Sequence, residues 1–125
     1  MADQPRGIKT IIYPVHDMTK AKDTFRALLG GTEPYIDESY YAAFDADGQD
    51  VGLDPNGHDK GLTGPTVFWH VPDIAARLEA LAAAGAEIVQ KPQDVGGGNL
   101  TATVRDANGN VTGLFQVASA PSDAS

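Results

Sequence analysis

Cysteine is absent from the 125 residues. Disulfides, thiolate metal sites, iron–sulfur clusters and cysteine nucleophiles are therefore excluded, and the chain suits a reducing compartment. Basic residues are scarce: nine Lys and Arg stand against seventeen Asp and Glu, for a net charge of -8. That sign repels phosphate backbones and anionic membrane surfaces, so neither nucleic acid nor a membrane is expected as a partner. No run approaches the roughly 18 consecutive apolar residues of a membrane span. The stretch Met1 to Lys9 is polar and lacks the apolar core of a signal peptide, which predicts a cytoplasmic protein. Only three histidines are present to serve as general bases or metal ligands.

What is present is an ordinary globular composition, 42% hydrophobic and 21% charged, enough for one compact domain or two small interlocked halves. The chain repeats itself once. Thr10-Ile11-Ile12-Tyr13-Pro14-Val15-His16-Asp17 lies over Thr66-Val67-Phe68-Trp69-His70-Val71-Pro72-Asp73 at a constant offset of 56. Further on, Asp45-Ala46-Asp47-Gly48 lies over Asp106-Ala107-Asn108-Gly109 at an offset of 61, the five extra residues falling at the Gly96-Gly97-Gly98 loop. Two modules follow, 7–56 and 64–117, with 57–63 as the linker in a Gly- and Pro-rich stretch and 118–125 as a frayed tail.

Each module reads alike. A β-branched strand, Thr10 to Val15 in the first copy, leads into a helix capped by Asp17 or Asp73. The apolar stripes are Met18, Ala21, Phe25, Leu28 and Leu29, then Ile74, Leu78, Leu81 and Ala82; Gly30-Gly31 and Gly85 are the stops. Three short strands follow, the last two joined by hairpins at Asp47-Gly48 and Asn108-Gly109. The order is βαβββ, twice.

This doubled order, with strands ending Val15-His16-Asp17 and Val71-Pro72-Asp73, helices ending in Gly and closing Asp-x-[Asp/Asn]-Gly hairpins, resembles the vicinal oxygen chelate superfamily. Glyoxalase I, bleomycin-resistance proteins, fosfomycin-resistance enzymes and extradiol dioxygenases belong to it. The resemblance covers about Thr10 to Gln116. It implies an α+β fold in which two tandem βαβββ modules form a cup-shaped, curved mixed sheet, with up to four metal ligands on the concave wall. Carried over by position, those ligand places fall on Thr10, Gly52, Thr66 and Gly113. None suits a transition metal, which needs imidazole or carboxylate at about 2 Å, so neither a metal nor any other cofactor is expected.

Strand alternation, anchored by that resemblance, sorts the remaining residues. Ile12, Pro14, Thr66, Phe68 and His70 are expected on the cup wall, and Trp69 under a helix. In the hairpins the resemblance places Ala42 and Thr103 on the wall; Tyr40, Phe44, Thr101 and Arg105 then share their side, joined by Phe115. Glycines at both carboxylate places are expected to enlarge the cup. Ile12, Pro14, Tyr40, Phe44, Thr66, Phe68, His70, Thr101, Thr103, Arg105 and Phe115 thus form a candidate ligand-binding wall, apolar with sparse polar points, as in small-molecule pockets. The alternative is that they close a dry core or a dimer interface.

The expected function is metal-independent sequestration of an aromatic or amphipathic compound, such as an antibiotic, in the manner of the bleomycin-resistance branch. The alternative is a divergent lyase, isomerase or dioxygenase, using His70 as its base or a displaced metal site. A homodimer is expected, because family members commonly pair modules between chains.

Overall fold

A computed structural model of the chain describes residues 5–118; of the tail expected over 118–125, all but Ala118 lies outside the described residues. The fold is α+β, and the expected βαβββ order occurs twice. The first copy comprises β1 (Ile8–Pro14), α1 (Met18–Leu28), β2 (Ile36–Glu38), β3 (Tyr41–Ala46) and β4 (Gln49–Asp54). The second comprises β5 (Thr66–His70), α2 (Ile74–Ala83), β6 (Glu87–Asp94), β7 (Leu100–Arg105) and β8 (Val111–Gln116). No helix among the described residues is long and apolar enough to cross a membrane.

The chain divides into two compact units at Val67/Phe68, inside β5. Residues 5–8 group with the second unit, where Gly7 O accepts from His70 N and His70 O from Arg6 N, both at 2.8 Å. In the first unit the strands run β2-β3-β4-β1, with β1 parallel to β4 and the rest antiparallel. In the second they run β5-β8-β7-β6, with β5 parallel to β8. Tyr13 faces Leu53 in one register and Trp69 faces Leu114 in the other, so both sequence offsets survive in three dimensions.

Both helices begin where the sequence predicts. The Asp17 carboxylate accepts from Lys20 N and that of Asp73 from Ala76 N, occupying one of the amides that a helix start leaves unpaired. In α2 the Gln116 side chain adds a second cap by accepting from Ile74 N at 2.7 Å, tying β8 to the helix. Gly30, Gly31 and Gly85 adopt positive φ and end the helices. Each helix covers one sheet face. Ala42, Phe44 and Leu53 pack with Tyr13, Val15, Met18, Ala21, Phe25 and Leu29 under α1. Val71, Ile74, Leu78, Ala102, Val104 and Leu114 form the core under α2. Leu28 and Ala82, expected in the buried stripes, are exposed, whereas Leu29 packs as expected.

The linker is a built turn. Residues His58–Lys60 form a single 3-10 turn, Gly57 N donates to Asp54 O, and Lys60 Nζ pairs with the buried Asp54 carboxylate at 2.8 Å. The extra residues of the second copy lie in a longer β6 and in the β6–β7 loop, where Gly96, Gly97 and Gly98 all take positive φ.

Candidate functional site

The face of the strands turned away from the helix carries most of the candidate site residues in each unit. In the second unit the register arranges them in rows. His70, Phe115, Thr101 and Gln93 lie side by side across β5, β8, β7 and β6, and directly opposed residues share a face. The next row is Phe68, Gly113, Thr103 and Gln90. The third holds Val111, Arg105 and Glu87, with Arg105 Nη1 2.7 Å from the Glu87 carboxylate. The rows differ in depth: Phe68 is 5% exposed and Thr103 1%, whereas His70, Phe115, Thr101 and Arg105 are half-buried. The Thr103 hydroxyl has no hydrogen-bond partner among the described residues.

In the first unit the corresponding face carries Thr10, Ile12 and Pro14 from β1. Thr10 is buried and its hydroxyl donates to Asp50 O at 3.2 Å. Thr66, likewise buried, donates to Gly64 O at 2.9 Å. Both hydroxyls thus serve the backbone beside them.

Two expectations for the wall need correction. Phe44 and Ala42, expected on the cup wall, lie on the opposite face: both are 0% exposed in the cluster under α1, and the Phe44 ring stacks 6.0 Å from Phe25. Tyr40 precedes β3 and is largely exposed. The cause is turn length. The first hairpin closes with Ala46 paired to Gln49 around two residues, Asp47 and Gly48, whereas five residues separate Arg105 from Val111 in the second. Ala43 therefore opposes Gly52 just as Thr103 opposes Gly113, and matching the hairpins on their first Asp reverses β3. Tyr41, which sequence reasoning missed, takes the place on the helix-free face; the turn lengths are the signal that finds it.

The second correction concerns the glycines. A Cβ on Gly52 would collide with the Tyr41 phenol, and one on Gly113 with the Phe68 ring. The glycines do not enlarge a cup: each makes room for an aromatic ring of its own unit. Burial of the Tyr41 phenol, with Asp50 nearby, raises its pKa to about 12, while its hydrogen bond with Thr10 pulls the other way. Tyr35 also donates to the Asp50 carboxylate.

These placements test the fit of a metal. Of the four ligand places, two carry hydroxyls bonded to backbone carbonyls and two are glycines beneath rings, so no donor set stands there. The histidines do not rebuild one. His16 stacks on His58 with centroids 4.0 Å apart and planes 2° apart, both in the first unit, and His70 lies on β5 in the second. Among the described residues no group of three His, Asp or Glu side chains could hold a metal ion.

Trp69 shares its sheet face with Val71, on the side of α2, as the alternation predicts. It is nevertheless 39% exposed, at the edge of a groove beside the helix rather than in the core.

Two βαβββ units, each with its helix on one face of its own strands, define the fold class. The chain belongs to the Glyoxalase/Bleomycin resistance protein/Dioxygenase superfamily, whose family model matches residues 7–114. Solved structures share the fold at low identity. One is an NAD-dependent benzaldehyde dehydrogenase from Legionella pneumophila, with 17% identity, TM-score 0.69, and coverage of 87% of this chain and 98% of that one. A methylmalonyl-CoA epimerase from Mycobacterium tuberculosis has 16% identity, TM-score 0.67, and coverage of 95% and 93%. A superfamily member from Vibrio splendidus 12B01 has 18% identity, TM-score 0.63, and coverage of 90% and 98%. No curated protein matches the chain at a significant level.

Proposed function

We propose that this protein binds a small aromatic or amphipathic molecule without a metal ion, in the manner of the bleomycin-resistance branch of its superfamily. The observation that carries the reading is the covering of both carboxylate places, Gly52 by Tyr41 and Gly113 by Phe68. Ligand contact falls to the half-buried row His70, Phe115 and Thr101, with Gln93 at its margin. One aromatic ring among hydrogen-bonding side chains suits a flat ligand that carries polar substituents. The acidic surface favours a cationic compound such as an antibiotic. The working unit is a homodimer, since β2 and β6 each leave a strand edge open in their own unit.

Calorimetric titration with bleomycin and a panel of aromatic natural products, in the presence of a chelator, tests the reading. Saturable binding that returns the compound unchanged, and that Phe115→Ala weakens about tenfold or more, is the expected result. A zinc, iron or manganese ion held one per chain through dialysis overturns it. So does consumption of the compound with loss of turnover in His70→Ala, which makes the protein an enzyme. Light scattering is expected to give twice the 13.1 kDa chain mass.

A further inference from the structure

The groove beside α2 lies on the opposite sheet face from the proposed ligand row, and the reading above does not use it. It is an open space of about 330 Å³ between Pro5, Trp69 of β5 and the adjacent Val71, Thr112 and Leu114 of β8, and Arg77, Ala80 and Leu81 of α2. That lies at the small end of the range for ligand pockets, roughly 300 to 1,000 Å³.

Its origin shows in the internal repeat. Under α1 the Phe25 ring packs edge-on against Tyr13 at 4.9 Å and stacks on Phe44. The offset of 56 carries Tyr13 to Trp69 and Phe25 to Leu81, and the shared register carries Phe44 to Val104. Two rings in one unit are thus aliphatic side chains in the other, and Thr24 becomes Ala80. Trp69 keeps its ring but has no aromatic partner among the described residues. The lining is apolar apart from the Thr112 hydroxyl and the Arg77 guanidinium, its one charged group. A guanidinium offers five donors in a rigid fork, enough to meet a ligand carboxylate besides its contacts within the protein.

We propose that this groove is a second binding site, which takes a small aromatic carboxylate. Its ring occupies the space that Phe25 fills in the other unit, against the Trp69 indole, and its carboxylate meets Arg77. The site does not depend on the ligand row across the sheet.

Trp69 is the single tryptophan of the chain, so its fluorescence reports on the groove directly. Benzoate is expected to change the emission saturably, with benzyl alcohol binding about tenfold or more weakly for want of the charge. Leu81→Phe returns the missing ring and is expected to weaken benzoate at least about tenfold while raising Tm; Ala80→Leu narrows the groove by another route if Leu81→Phe does not fold. Arg77→Met is expected to bring benzoate down to the level of benzyl alcohol. Phe115→Ala, on the opposite face, leaves the benzoate titration unaltered even if it abolishes the binding of the first ligand. The proposal is overturned by the absence of a saturable change in the wild-type protein. Equal benzoate affinity in folded Leu81→Phe or Ala80→Leu also overturns it, as does a benzoate response that falls with Phe115→Ala.

Discussion

Beneath α1 three rings, Tyr13, Phe25 and Phe44, close the space between helix and sheet; beneath α2 the matching positions hold Trp69, Leu81 and Val104, and a groove remains. The helix-free faces differ as well. Gly52 is covered from β3 by Tyr41, whose far end is a phenol oxygen, whereas Gly113 is covered from β5 by the ring of Phe68. One backbone plan, repeated, supports two distributions of aromatic volume. In the second unit the places of two rings hold aliphatic side chains, and an apolar groove opens beside the helix.

The sharpest way to break this comparison is to remove an aromatic side chain from each helix-side face. Phe44 is fully buried, so Phe44→Ala is expected to cost about 3 to 5 kcal/mol in denaturant unfolding. Trp69→Ala, at the groove edge, is expected to cost only about 1 to 2 kcal/mol, because much of the indole already meets water. Equal losses would mean that the two helix faces are packed alike.

Next in size come the two glycines. Gly113→Ala pushes a methyl group into the body of the Phe68 ring, which is itself buried, and is expected to destabilise by about 2 to 3 kcal/mol. Gly52→Ala meets the end of a Tyr side chain that can swing aside, so about 1 kcal/mol is expected. A reversed order would show that Tyr41 is the more firmly held of the two.

The phenol that covers Gly52 also sets a pH window. Its folded pKa is raised from 10.0 to about 12, so folding favours the neutral phenol. This contribution is fully present below about pH 10, the unfolded value, and is lost as pH rises through the folded value. Tyr41→Phe is expected to flatten the decline of stability over that window, and absorbance of the phenolate should show one fewer late-titrating group. The second unit offers no tyrosine to match it. The smallest effect is expected from Arg105→Met: its ion pair with Glu87 is largely exposed, and the loss should be about 0 to 1 kcal/mol at low salt.

Much of this architecture is legible in the residues alone. The Asp caps, the Gly stops and the period of the apolar stripes place both helices to within a residue, since each is a local preference that needs no partner from elsewhere in the chain. Alternation along β1 and β5 assigns their faces correctly, because an uninterrupted strand keeps its parity. Across a hairpin that logic depends on turn length. Between equivalent pairs the first hairpin has four residues, from Asp45 to Asp50, and the second five, from Arg105 to Val111; that one residue carries Phe44 into the core and puts Tyr41 above Gly52.

By itself, then, the sequence determined a doubled βαβββ chain and the absence of carboxylate or imidazole from the four ligand places, because order, caps and residue chemistry are written locally. Only the tertiary structure decided that both glycines lie under rings, that Trp69 stands at a groove rather than in the core, and that His16 meets His58. Those outcomes depend on which side chain from a distant strand, helix or turn fills a given volume, and packing settles that only after every element has its register.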